Sequence, residues 1–379
     1  MLGIEINEQS KAPGILVMGI GGGGNNAVGR MIGTGVQGVT YAAVNTDLQV
    51  LNKSSAGILL QIGKKLTEGF GAGSDPTVGE AAAEESVGEI NNIISGHKMV
   101  ILTCGMGGGT GTGAIPVIAR CCKEMGILVM AVITLPFSFE GSHRMTTALA
   151  GLEKLKENVD TYLVIPNDKL LTLGERTFYL EDAFLKADSV LGSTISGITN
   201  IIYNCGVLNL DFSDIKACIG GRGAGHFGLG RVNSKGSLMD AMKEAINSPL
   251  LDTDITGAEK VLFNVAGKIN LMELNEALSY LREIVGDKVK MKWGTVTGND
   301  MDSDEIVITL IATGLKENIK ESCISKNKEF CRTLDNKKNE GMDAKIGRAV
   351  SIDRKENREV VIPPFLTEWM SRNRSECGN

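Results

Sequence analysis

Nine consecutive residues, Gly105-Met106-Gly107-Gly108-Gly109-Thr110-Gly111-Thr112-Gly113, constrain this chain more than any other stretch. They follow an apolar run, Met99 to Cys104, that reads as a buried strand, and precede Ala114 to Ala119, which reads as the opening of a helix. Glycines let backbone N–H groups turn toward a ligand without obstruction by Cβ. Thr110 and Thr112 add hydroxyl donors, and a helix start adds a positive dipole end. A strand-to-helix turn of this composition is an anion cradle with room for more than one phosphate. A flexible linker is the weaker reading, because the flanks look ordered and a second run, Gly21 to Gly24, has the same context after Gly14 to Ile20. Two such turns on two strands of one sheet would meet at its carboxyl edge, where open α/β sheets bind ligands.

The rest of the first half supports such a sheet. Ile15–Ile20, Val39–Val44, Met99–Cys104, Ile127–Ile133 and Tyr162–Ile165 read as strands, and Val78–Ile94 and Leu149–Asn158 have helix-forming composition. Alternating β and α signals imply a Rossmann-like, mostly parallel sheet with helices on both faces. From Leu180 to about Asn204 apolar residues recur at helical spacing, despite Gly192 and Gly197. A helix of roughly 25 residues, about 37 Å long, could join two domains. Strand signals then return at Val261–Val265, Val289–Trp293 and Glu305–Thr313, with helical patterns at Leu238–Ile246 and Leu271–Ile284, giving a second, smaller α/β domain.

This suggests six parts: an N-terminal tail (1–12), a nucleotide domain (13–180), a central helix (181–206), a C-terminal α/β domain (207–316), a flexible linker (317–357) and a terminal peptide (358–379). The linker rests on composition: Lys, Glu, Asn and Ser with few apolar residues. About 40 flexible residues span roughly 35 Å. Order-prone residues return at Val360 to Met370.

Composition narrows the class. Of 379 residues, 42% are hydrophobic, 22% charged and 4% aromatic, with 48 glycines, as expected of an α/β core of small aliphatic residues and many tight turns. A net charge of −6 argues against nucleic acid as the main partner. Eight cysteines without a CxxC, and three scattered histidines, suit isolated thiols in a reducing compartment and offer no metal-ligating constellation. Met1 to Lys11 does not read as a signal peptide, and no apolar run approaches the length of a membrane span. The expectation is a cytoplasmic protein that does not insert into membranes.

The P-loop motif GxxxxGK[ST] is absent. Gly57 to Lys64 is one residue too long, and Lys65 replaces the hydroxyl. The phosphates would therefore be held by backbone amides and helix dipoles. Strand, glycine turn, helix and a strand ending in Asn45-Thr46-Asp47 also imitate an NAD fingerprint. NAD needs one glycine turn, however, and this chain offers two plus Gly69 to Ser74, which suits a triphosphate better.

Gly105–Gly113 resembles the signature of the tubulin/FtsZ superfamily of polymerising GTPases. Gly19 to Val28, Val44 to Asp47, Gly71 to Gly73, Pro136 to Gly141, Ile165 to Asp168, Asn209 to Asp214, Ser248 to Leu251 and Ile362 to Leu366 resemble the bacterial FtsZ branch, in the same order. The resemblance implies GTP/GDP with Mg2+, head-to-tail assembly of the chain with itself, GTP hydrolysis switched on by assembly, and a role in the ring that divides the cell, at the division site under the membrane. It also implies roles for residues. Gly22, Gly23, Gly24, Asn25 and Asn26, with Gly107, Gly108, Gly109, Thr110, Gly111 and Thr112, would wrap the phosphates. Gly71, Ala72 and Gly73 would lie near the γ-phosphate, and Glu140 and Arg144 would touch ribose and phosphate. Asn167 and Asp188 would read guanine, and Phe184 would stack on the base.

Read without the family, Glu140 and Arg144 make a surface ion pair four residues apart, and Phe184 packs in a core. Asp211 and Asp214, read alone, cap and begin a helix. The resemblance instead assigns Asn209, Asp211 and Asp214 catalytic work on the nucleotide of a neighbouring subunit. It makes residues 358–379 a docking peptide for membrane-tethering and regulatory division proteins. Three stretches depart from the family: the Gly-rich run Gly220 to Phe227, Asn204-Cys205-Gly206 without a preceding proline, and a weakly basic end at Glu368-Trp369-Met370.

Overall fold

The computed structural model describes residues 14–33, 38–172, 179–203, 210–221, 223–233, 236–248, 253–267, 269–296 and 305–315. The expected N-terminal tail, linker and terminal peptide, together with Asn209, lie outside them.

The first half alternates as expected. It comprises β1 (Ile15–Ile20), α1 (Gly21–Gly33), β2 (Val39–Asn45), α2 (Leu48–Leu51), β3 (Ile58–Gln61), α3 (Lys64–Thr67), α4 (Pro76–Glu85), α5 (Val87–Ile94), β4 (Met99–Gly105) and α6 (Thr110–Glu124). Then come β5 (Leu128–Leu135), α7 (Ser142–Lys156), β6 (Thr161–Pro166), α8 (Asp168–Thr172) and the long α9 (Leu180–Tyr203). The second half holds α10 (Phe212–Ile219), β7 (Ala224–Val232), α11 (Leu238–Ile246), β8 (Lys260–Ala266), α12 (Leu271–Val285), β9 (Lys290–Val296) and β10 (Ile306–Leu315).

All ten strands form one sheet in the order β3-β2-β1-β4-β5-β6-β7-β10-β8-β9. Nine run in one direction, and β10 runs against its neighbours β7 and β8. β1, β5 and β6 are buried along their whole length, which is why they read as continuous apolar runs. One face packs α4 to α7, α11 and α12; the other packs α1, α9 and α10. The two halves of the sheet meet at a single residue pair, Tyr162 with Ala224.

Several elements differ from the sequence reading. The pattern over Val78–Ile94 predicts one helix, but the chain breaks at Ser86, whose hydroxyl accepts the buried N–H of Gly63 at 3.0 Å. The short β3 lies within Gly57 to Lys64, a stretch whose only sequence signal is a near-match to the P-loop motif that fails on spacing. The Gly-rich run leads into β7, where the glycines after Phe227 are needed for close approach. A Cβ at Gly228 would lie 1.7 Å from the carbonyl oxygen of Ala245, and one at Gly230 1.8 Å from that of Ala241. Helix α11 thus rests directly on the strand backbone.

Candidate nucleotide site

The first six strands run 3-2-1-4-5-6, and the two glycine turns leave adjacent strands, β1 and β4, paired from Ile15 with Met99 to Gly19 with Thr103. They therefore meet at the carboxyl edge. Gly21, at φ +69°, comes so close to the second turn that a Cβ would lie 2.9 Å from the Gly111 nitrogen. A third loop joins them: a Cβ at Gly109 would lie 2.9 Å from that of Ala72.

The glycines divide by what surrounds them. At Gly22, Gly73 and Gly108 an added Cβ meets nothing within 4 Å, so these backbones face open space on the cradle. Gly24 is packed on β4, where a Cβ would lie 2.3 Å from Thr103 O. At Gly23 the approach is to Gly105 N at 3.3 Å, and at Gly107 it is to Arg144 Cγ at 2.7 Å. Helix α6 begins beside this space, and its N-cap, Gly109, makes no side-chain capping bond. Its first N–H groups are left to an anion.

Side chains brace the loops. Gly107 N–H donates to Thr112 Oγ1 at 2.8 Å, so the Thr112 hydroxyl, expected to serve the ligand, closes the turn. Thr46 and Thr110 join their hydroxyls at 2.7 Å. With its amide nitrogen turned toward the backbone carbonyls, the buried Asn25 donates to Gly19 O at 2.8 Å and Gly21 O at 3.1 Å and accepts from Asn45 Nδ2 at 3.1 Å. Asn25 thus knits β1, α1 and β2 together. Glu140 and Arg144 do form the ion pair, Nε to Oε2 at 3.1 Å, while Glu140 Oε1 accepts Phe137 N–H at 2.8 Å. Arg144 lies against Gly107 of the second glycine turn and keeps its side chain about half exposed.

The other end of the cradle suits a base. Phe184, on the first turns of α9, is 40% exposed and meets Phe137 edge-on at 5.5 Å. Asn167 follows β6, is 5% exposed, and its Oδ1 has no hydrogen-bond partner among the described residues. A buried amide oxygen without a partner is costly, and a purine edge would supply one. Asp188 is half-sunk between α9 and α1; burial lifts its carboxyl to about 6, against the opposing pull of Arg30 and a hydrogen bond from Asn26. Asn26, Arg30 and Asp188 line a cavity of about 530 Å³ with Gly29 and Lys53. The sequence reading missed Thr46 and Arg30. Arg30 lies one turn beyond Asn26 on α1, the helix that packs on α9, and that spacing was the available signal.

Asp211 and Asp214 are elsewhere. Asp211 caps α10, accepting Asp214 N–H at 2.7 Å. Helix α10 ends beside the start of β6, where Thr161 Oγ1 donates to Ile219 O, and it is held by lysines near the starts of β8 and β9. That is the amino edge of the sheet. The glycine cradle is on the carboxyl edge, a strand length of about 20 Å away. Helix α9, about 36 Å long by its 24 residues, runs between the two. Tyr203 at its far end lies against Gly38, just before β2.

Topology alone would also fit a dinucleotide, so likeness to known proteins decides. Residues 14–175 match the model of the Tubulin/FtsZ family, GTPase domain, and residues 223–316 that of the FtsZ family, C-terminal domain. Two solved FtsZ structures from M. jannaschii, an empty dimer and a point mutant, are each 40% identical. The dimer aligns over 79% of this chain and 88% of its own with a TM-score of 0.73; the mutant aligns over 81% and 92% with 0.75. A GTPγS-bound CetZ2 protofilament from Haloferax volcanii shares the fold at 18% identity, with a TM-score of 0.71 over 86% and 99%. The NAD reading is thereby displaced: a GTPase domain implies binding of GTP or GDP. The chain belongs to the FtsZ family of tubulin-like GTPases.

Proposed function

We propose that this GTPase assembles head to tail into filaments, each GTP being hydrolysed at a subunit junction, and that the filaments build the ring that divides a cell. One observation carries the reading: the cradle and the acid pair Asp211 and Asp214 occupy opposite edges of one sheet. A carboxylate one strand length away cannot act on its own chain's triphosphate. Stacking a second copy edge to edge would bring the acid pair to it. A heterologous contact of this kind propagates when it does not close. The solved dimer of M. jannaschii FtsZ supports self-association at 40% identity.

The geometry supports a role for each residue. Gly22, Gly73 and Gly108 leave room for phosphates, and α6 points its N-terminus at them. Asn167 and an ionised Asp188 would accept from the guanine N1–H and N2–H₂ groups, which adenine lacks. The neighbour's Asp211 and Asp214, with Asn209, would orient the attacking water. Its oxygen bonds to the γ-phosphorus as the bond to the β-phosphate oxygen breaks, and its proton leaves to a carboxylate or to the released phosphate. Among the described residues no three His, Cys, Asp or Glu gather as a metal cage. Mg2+ would therefore be held mainly by phosphate oxygens and water, a mode it commonly adopts, and would supply charge neutralisation there. Residues 13–180 and 207–316 would act as two domains joined by the helix 181–206. Residues 317–357 would tether the 358–379 peptide to a membrane-anchoring or regulatory division protein.

Light scattering with GTP, GDP and ATP, with phosphate release followed in parallel, tests the reading. Scattering should rise with GTP alone, and activity per subunit should climb with protein concentration. Constant activity per subunit across a wide dilution range would refute a shared site.

A further inference from the structure

Two lysines hold α10 from neighbouring strands. Lys260, at the start of β8, donates to Ala217 O near the helix's C-terminus. Lys292, on β9, places its Nζ 3.0 Å from Asp214 Oδ1 in the first turn. The register sets Lys292 beside Leu262, and Leu262 packs in the same cluster as Ile215 and Ile219 of α10, so Lys292 projects from the face that carries this helix.

The two lysines are not equivalent. Lys260 meets the negative end of the helix dipole, where a cation belongs. Lys292 stands at the positive end, where a cation is disfavoured. Its side chain is 62% exposed, on an edge strand, and an ion pair so open to water adds little stability. Helix stability therefore does not explain its position. Charge does. Two carboxylates at one edge would meet a triphosphate with like sign, and Lys292 lies within electrostatic reach of both Asp214 and Asp211.

We propose that Lys292 is a positioning residue of the shared site: it fixes the Asp214 carboxylate and offsets the negative charge of the acid pair as that edge docks on a triphosphate held by a second copy. This rests on the reading that Asp211 and Asp214 act on the neighbour's nucleotide.

Full-length Lys292→Met and Lys292→Arg proteins test it, beside Asp211→Ala and Asp214→Ala. The readouts are GTP affinity below the assembly threshold, the critical concentration with a slowly hydrolysed GTP analogue, and phosphate release per assembled subunit. Lys292→Met should keep its melting temperature and GTP affinity. Its critical concentration should rise about tenfold at low salt and approach that of the unaltered protein near 0.5 M salt, because screening removes the repulsion that the lysine offsets. Turnover per assembled subunit should drop about tenfold and stay low at high salt, since orientation is not screened. Lys292→Arg should restore both. Unchanged assembly and turnover in Lys292→Met would overturn the proposal, as would a lowered melting temperature that accounts for the loss. Full turnover in Asp211→Ala and Asp214→Ala would defeat the shared site itself; loss there with a normal Lys292→Met would defeat the lysine's role alone.

Discussion

Thr46 and Thr110, 64 residues apart, share a hydroxyl hydrogen bond of 2.7 Å that ties the loop after β2 to the first residue of α6. Thr46 is fully buried and its hydroxyl has no access to water, so the bond fixes where α6 begins.

Thr46→Val should therefore loosen the cradle without emptying the core. It removes one hydrogen bond at a cost of about 1 kcal/mol. GTP affinity should fall several-fold, read by titration below the assembly threshold, with the melting temperature only slightly reduced. Unchanged GTP affinity would show that the bond is not part of the cradle's support.

Gly22→Ala and Gly24→Ala should separate ligand from scaffold. At Gly22 a methyl meets open space and alanine favours the helix by about 1 kcal/mol, so stability should hold or rise while GTP binding weakens. At Gly24 the methyl would sit 2.3 Å from Thr103 O, and overpacking of this kind costs about 2 kcal/mol or more. Thermal unfolding and nucleotide titration on both variants check this. Equal losses of stability would mean that the cradle backbone does not face the ligand.

If Asp188 reads guanine as proposed, GTP binding and stability should respond to pH in opposite ways. Its carboxyl is raised to about 6 by burial. For a raised acid, the stabilising contribution is present below the unfolded value near 4 and lost as pH climbs through about 6. In the proposed role guanine binding would use the ionised form, and it should then weaken as pH falls below 6. Asp188→Asn should stabilise the nucleotide-free protein at neutral pH, by an order of 1–2 kcal/mol after allowing for partial exposure. It should also lower the preference for GTP over ATP. A variant with unaltered selectivity would remove Asp188 from base recognition.

His226 gives a second pH signature, at the other end of the sheet. The ring is 1% exposed, with Nδ1 2.8 Å from Thr253 Oγ1 and its Nε2–H donating to Ala245 O at 3.2 Å. Burial holds its pKa below the ordinary 6.5. A depressed value leaves stability intact above 6.5 and erodes it as pH falls, because the unfolded chain takes up the proton first. Chemical denaturation at pH 7.5 and 5.5 should show a loss that His226→Gln reduces. An identical pH dependence in the variant would place the cause elsewhere.

The cradle was legible because its signals are local. Gly21 to Gly24 and Gly105 to Gly113 announce their turns through glycine itself, and β1, β4, β5 and β6 are buried on both faces and so read as apolar runs. What stayed hidden depended on distant partners. Nothing within Val78–Ile94 shows that Ser86 gives its hydroxyl to Gly63. The strand β7 was masked by glycines whose purpose is visible only once Ala241 and Ala245 lie on top of them. Asp211 looks like a helix cap and is one. Any further duty comes from which edge it occupies, a property of topology that its neighbours in sequence do not encode. The pairing of Asp214 with Lys292 likewise required β9 to arrive from 78 positions downstream.

The unlike rims of the sheet give the molecule an arrow. A twofold partner stacked edge to edge would set rim against identical rim, and under the proposed shared site both copies would be left with half a catalyst. Any growing row would instead keep a naked cradle at one tip and a naked carboxylate pair at the other. A capping protein that recognises either chemistry could then tell the two tips apart without measuring anything else.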